Sequence, residues 1–185
     1  MAELLARAPF AVLSTRDAGE GADVSPKGDP PGFVQVLDGH RVALPDRPGN
    51  RRTDTFHNLV ADAAVGLVAL VPGEDRVVEL TGRASLTDDA DLLATMAVNG
   101  RSSKVAVVID VEEAWVQAAP ELARAGMWDT DRRVPADQLP DMSQVFVDHV
   151  KRNRDKGETA DAIRAGIDAN MLREGLAHDY RENLF

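Results

Sequence analysis

Residues 33–55 read FVQVLDGHRVALPDRPGNRRTDT. Phe33–Leu37 is an apolar, β-branched run with strand character, Asp38-Gly39 is a hairpin turn signal, and Arg41–Leu44 is a second strand-like run. Thr53-Asp54-Thr55 then offers N-cap side chains for a helix, TDTFHNLVAD, in which Phe56, Leu59 and Val60 fall on one apolar face. Between strand and helix lies Pro45–Arg52, where three arginines crowd into six residues of a chain whose formal net charge is −10. Like charges held this close repel one another unless an anion or a set of carboxylates answers them.

The flanking sequence extends the β pattern in both directions. Pro9–Thr15 (PFAVLST) reads as a buried strand, and Ala22–Ser25 begins another that runs into SPKGDPPG, a Pro/Gly-rich stretch expected to be irregular. Downstream, Ala64–Val71 reads as a central strand closed by Pro72-Gly73. Arg76–Ser85 reads as a strand with Val78, Leu80 and Gly82 on one face. Thr87 is the expected cap of a helix beginning DDADLLATM, and Lys104–Trp115 is the expected last strand. The fold class expected from these elements is mainly β (α+β): six or seven short antiparallel strands in a small closed β-barrel, with short flanking helices and a helical C-terminal tail. The expected division is 1–130 for the barrel and 131–185 for a helical extension packed on the barrel or on a partner subunit. In that extension Ile163, Ile167, Met171 and Leu172 recur at helical spacing.

Composition narrows the chemistry. The 185 residues are 44% hydrophobic and 28% charged, ordinary values for a globular chain. With no cysteine, disulfides, iron–sulfur ligation and cysteine nucleophiles are excluded. The four histidines, 40, 57, 149 and 178, show no metal-binding spacing, so no metal site is expected. No GxGxxG, P-loop or GxSxG signature occurs. The acidity argues against nucleic acid, which is bound by neutralising phosphate. No apolar run approaches the roughly 18–20 residues that span a bilayer. MAELLARAPF has neither a basic n-region nor a long apolar h-region, and the expected location is the cytoplasm.

The arginine turn has a direct physical reading. A dianionic phosphate favours fork-shaped guanidinium donors, because paired N–H···O bonds fix it as well as attract it. It also gains from a helix N-terminus, whose free N–H groups carry partial positive charge. Arg47, Arg51 and Arg52 precede the expected helix start, Pro48 and Gly49 allow a sharp turn, and Asn50 tolerates a left-handed backbone. The alternative is surface pairing of these arginines with Asp46, Asp54 or Asp29. Lys27, the sole lysine in the first hundred residues, supports a phosphate cradle only if its loop meets the arginine turn in space.

The succession FAVLST, DVSPKGDPPGFV, ALPDRPGNRRTDT, GLVALVPG, VELTGRASLTDD and Met127-Trp128-Asp129 resembles a branch of the pyridoxamine 5′-phosphate oxidase-like superfamily, the FMN-binding split β-barrels. The likeness covers roughly residues 8–130, and the ending HDYRENLF is similar to the tail of that branch. It implies an FMN-dependent oxidoreductase acting on a small-molecule substrate, as a homodimer with cofactor at the subunit interface. By position, Arg51 and Arg52 match the pair that grips the FMN phosphate, and Pro45, Asp46 and Arg47 would line the flavin or ribityl chain. Asn50 belongs to the same turn. Ser25, Pro26 and Lys27 match the strand end beside the isoalloxazine and phosphate, while Arg124 and Trp128 match the element that reaches the partner subunit's flavin. Lys27 and Arg47 are the candidate cations for an anionic reduced flavin; no catalytic residue is identified.

One segment departs from the branch. Where a stretch like His-Cys-Pro-Lys is expected, Gln117-Ala118-Ala119-Pro120-Glu121 stands. It favours retention of flavin or another phosphorylated ligand without catalysis; two further alternatives to FMN-dependent turnover are use of the deazaflavin coenzyme F420 on the same fold and a plain interaction module whose arginines meet an acidic partner.

Overall fold

The computed structural model describes residues 1–17, 19, 21–48, 53–153 and 157–183. Its contacts cluster into two compact units, Met1–Asp129 and Thr130–Leu184. In the first, a short helix α1 (Ala2–Leu5) leads into β1 (Phe10–Arg16), β2 (Ala22–Gly28), β3 (Gln35–Val36) and β4 (Arg41–Pro45). Helix α2 (Asp54–Ala61), β5 (Ala64–Leu70), β6 (Arg76–Thr87), α3 (Ala90–Thr95), β7 (Ala106–Ala118) and α4 (Pro120–Ala125) follow. The seven strands form one antiparallel sheet in the order β2-β1-β5-β6-β7-β4-β3.

Period-two patterning builds the interior. Ala11, Leu13 and Thr15 of β1, Val65, Leu67 and Ala69 of β5, and Val78, Leu80 and Ala84 of β6 are buried in alternation with more exposed neighbours. These join Val42 and Leu44 of β4, Val107 and Ile109 of β7, and Leu5, Phe33 and Val34 in one core, so the sheet curls around its own contents. β6 and β7 are long, and a bulge at Thr81/Gly82 lets them serve both halves of the curl. The barrel does not close as the strand pattern alone suggests: among the described residues β2 and β3 remain the two edges of the sheet, the split form that the family resemblance implies. On the outer face of β4 and β7, α3 covers Ala43 and Ala106 with Leu93 and Met96.

Several local expectations change. β2 continues through Pro26 to Gly28 where irregular chain was expected; as an edge strand paired only with β1, it tolerates a residue lacking an N–H. β3 shrinks to Gln35–Val36, the two residues that pair with β4 (Gln35 with Ala43, Val36 with Val42), and the buried Phe33 and Val34 lie outside the strand. The Asp38-Gly39 hairpin forms, but the aspartate shapes it: Oδ1 accepts from the His40 and Arg41 amides, each at 2.9 Å, and Gly39 takes no positive φ.

On α2 the buried arc is Thr55, Asn58 and Leu59, whereas Val60 is 83% exposed. Asn58 donates to the buried Thr15 hydroxyl at 2.9 Å, and this satisfied polar pair turns the helix away from its Phe56–Val60 face. The cap of α3 is Asp89, whose Oδ1 accepts from the Leu92 amide, while Thr87 accepts from the Asp89 amide and ends β6. β7 spans Ala106–Ala118 in place of Lys104–Trp115.

In the second unit α5 (Met142–Arg152), α6 (Glu158–Gly166) and α7 (Ala169–Asn183) replace the single periodic run. The break falls at Asp168, whose Oδ1 accepts from the Asn170 and Met171 amides and starts a new helix. Asp141 caps α5 through the Ser143 amide and pairs with Arg173 at 2.5 Å, tying α5 to α7. No helix among the described residues is long and apolar enough to cross a membrane.

Candidate functional site

Pairing with β1 orients the first group of candidates. Ser25 lies opposite Leu13 and Lys27 opposite Ala11, both inward-facing, so Ser25 and Lys27 share the inner face, half-buried, and Pro26 points outward. Two residues beyond Lys27, the Asp29 amide bonds the Pro9 carbonyl at 3.1 Å, and its side chain is 1% exposed.

The second group follows β4. Pro45 is buried opposite Ala106, and the Asp46 amide donates to the Val105 carbonyl at 2.9 Å. Arg47 then turns inward. Its Nε meets Asp29 Oδ2 at 2.6 Å, one terminal nitrogen reaches the Ser103 hydroxyl at 3.1 Å and the Arg101 carbonyl at 3.5 Å, and the other reaches the Met96 carbonyl at 2.5 Å. With Arg47 13% and Asp29 1% exposed, this pair lies well below the surface. Asp29 Oδ1 is buried without a hydrogen-bond partner among the described residues.

The Lys27 and Arg47 loops therefore meet. Burial pushes the Asp46 carboxyl above its ordinary value, and the nearby Lys27 ammonium pulls it part of the way back. The folded state thus holds this proton more tightly than the unfolded chain. A charged Asp46 costs stability above its folded pKa, and the cost lifts as pH falls toward the unfolded value of 3.8. Asp46→Asn is expected to raise Tm at pH 7, with the gain vanishing below about pH 4. Equal gains at pH 3.5 and 7 would assign the effect to something other than the charge.

Asn50, Arg51 and Arg52 lie outside the described residues. On the far side of them, α2 starts at Thr53 with no side-chain cap bond. The remaining candidates have local partners: Arg124 pairs with Glu121 at 2.8 Å on an exposed turn of α4, and the Trp128 indole N–H donates to the Glu74 carbonyl at 3.1 Å. Trp128 is thus tied to the β5–β6 hairpin of its own chain. Gln117 donates to Glu79 across β6–β7 at 2.5 Å.

Asp29 and Ser103 are the residues whose role sequence reasoning understated. Asp29 was legible inside SPKGD, but only as a surface partner; Ser103 carries no local signal, since 56 residues separate it from Arg47. A cavity of about 660 Å3 is lined by Glu3, Arg7, Glu74 and Arg76 among others, and no candidate among the described residues lines it. There Arg76 grips Glu74 with two bonds and holds that carboxyl down to about 2. Among the described residues no cluster of His, Asp or Glu could hold a metal.

Comparison with solved structures places the fold. HupZ of Group A Streptococcus superposes with a TM-score of 0.52 at 14% identity, over 64% of this chain and 92% of that one. General Stress Protein 26 of Bacillus anthracis matches at 0.48 and 14% identity, over 62% and 88%, and an F420 reductase at 0.47 and 16%, over 61% and 94%. At these identities the likeness is one of fold. No curated protein matches the chain. The model of the family described as pyridoxamine 5′-phosphate oxidase matches residues 1–152, the whole barrel and the start of the helical unit. The chain belongs to the pyridoxamine 5′-phosphate oxidase family.

Proposed function

We propose that this chain is an FMN-binding flavoprotein that acts as an oxidoreductase on a small organic molecule, working as a homodimer with the cofactor between subunits. The observation that carries the reading is the meeting of the Lys27 strand end with the Asp46–Arg47 turn in a chain of this family. The residues suit such a ligand. Lys27 supplies a half-buried cation, and the α2 N-terminus, with Thr53 making no side-chain cap, presents amide dipoles to an anion. Asp29 Oδ1, buried and without a hydrogen-bond partner among the described residues, is an acceptor suited to a hydroxyl, which a phosphorylated polyol chain brings.

Arg51 and Arg52 complete the phosphate end in this reading, with Asn50 in the turn between them and Arg47. Ser25, Pro26, Pro45 and Asp46 line the approach to the rings. Arg124 and Trp128 serve the second subunit's site. Bound flavin supplies the hydride and electron chemistry, and the protein supplies orientation and field. Lys27 is the cation for a reduced anionic ring, because Asp29 neutralises Arg47 at 2.6 Å.

Purified protein is expected to be yellow or to take up FMN in a visible titration. Arg51→Ala or Arg52→Ala weakens that binding by about 1.5–3 kcal/mol, the scale of a charge-assisted hydrogen bond. A colourless protein indifferent to FMN, or wild-type affinity in both variants, would sink the assignment. A parallel titration with F420 decides between the two coenzymes. A second reading, flavin binding without turnover, is favoured by Gln117–Glu121, where Gln117 is engaged with Glu79. Reduction of bound flavin by dithionite, with no response to NADH or NADPH, supports it.

A further inference from the structure

We propose that Arg47 is a positioning residue: through Asp29 it bolts the end of β2 to the end of β4 and thereby holds Lys27 against the anionic ligand. This rests on the proposed flavin site. β2 and β4 belong to opposite flanks of the curled sheet, and no strand pairing joins them among the described residues. The Asp29–Arg47 pair crosses that split.

Every nitrogen of the Arg47 guanidinium is engaged by the protein. Nε serves Asp29, one terminal nitrogen serves Ser103 and Arg101, and the other serves the carbonyl of Met96 at the end of α3. A guanidinium has five N–H donors in a rigid fork, and this one makes four bonds to three segments of chain, at Asp29, Met96 and the 101–103 loop. At 13% exposure it has little surface to offer a ligand, and the carboxylate beside it cancels its charge. The bolt's ends are close in sequence to the groups that would meet the ligand: Lys27 lies two residues before Asp29, and Asp46 immediately precedes Arg47. Burial raises the Asp46 carboxyl and the Lys27 ammonium lowers it, so these two groups lie within each other's field.

Direct and indirect roles separate by ionic strength. An ion that touches the ligand contributes an attraction that salt screens; a residue neutralised inside the protein does not. FMN titrations by fluorescence quenching, on the full chain at 50 and 300 mM salt, compare wild type with Lys27→Met and Arg47→Gln. Lys27→Met is expected to weaken binding and flatten its salt dependence. Arg47→Gln is expected to weaken binding about tenfold or more while the salt dependence keeps its wild-type slope. If Arg47→Gln yields no folded protein, Arg47→Lys, which keeps the charge and loses the fork, is read in the same way. A flattened slope in the Arg47 variant would make it a direct ligand, and an unchanged Kd would remove it from the site; either overturns the proposal. Wild-type protein that takes up no FMN overturns the flavin reading itself, and the positioning role falls with it.

Discussion

Arg47→Met is expected to lower the unfolding free energy by about 3–5 kcal/mol, measured by urea denaturation of the ligand-free protein. The loss comes mostly from what is left behind. The Asp29 side chain is 1% exposed and one of its oxygens has no partner among the described residues; without Arg47 the second oxygen loses its 2.6 Å contact, and the charge is stranded. The Met96 carbonyl and the Ser103 hydroxyl lose their donor at the same time. Adding Asp29→Asn to Arg47→Met is expected to recover a large part of the loss, because the buried charge is then gone, and a double-mutant cycle measures the coupling. A loss below about 1 kcal/mol would mean that the pair behaves like one at the surface. Arg124–Glu121, with both side chains 69% exposed, is the internal control: Glu121→Ala should stay within about 0.5 kcal/mol.

Gly82→Ala should destabilise by about 2–3 kcal/mol, the upper part of the overpacking range. A Cβ built at Gly82 stands 2.1 Å from the Asp110 carbonyl oxygen and 3.1 Å from Val111 Cα. Both are backbone atoms of β7, so no side chain can swing away. The site is the bulge where β6 passes from one half of the barrel to the other, and a shift there disturbs the pairing of both strands. Gly66→Ala on adjacent β5, with nothing within 4 Å of its added Cβ, is expected to be neutral or slightly stabilising. Thermal melts of the two variants side by side check the contrast; similar small shifts in both would show that β7 yields to the extra carbon.

Local patterning explains which expectations stood. β1, β5 and β6 were legible because alternation of apolar residues needs only the period-two geometry of a strand. Deviations arose from a distant partner, from a competing local cap and from sheet topology. The buried face of α2 turns on Asn58 finding Thr15, 43 residues away. The end of the helical run at Ile167 is set by Asp168, whose carboxylate caps the next helix more effectively than apolar spacing can continue the last. Extension of β2 through Pro26 depends on its lying at a sheet edge, a matter of topology.

The candidate site divides in the same way. Crowded arginines beside Pro and Gly marked the 45–52 turn, and the lone Lys27 marked the 25–29 loop, because composition and spacing are local properties. That the loops converge depends on the curl of the sheet, since one follows β2 and the other β4. Trp128, singled out by the order of motifs, bonds the Glu74 carbonyl of its own chain, a partner 54 positions away.

The order of residues alone determined a small antiparallel barrel, its principal strands, a loop crowded with arginines and another marked by a lone lysine, because side-chain alternation and turn chemistry act over a few positions. Tertiary structure alone decided that Arg47 turns inward to Asp29 while Lys27 stays beside Asp46. A guanidinium's partner is chosen by burial and by which segments the curl brings together, and neither is a property of the neighbouring residues.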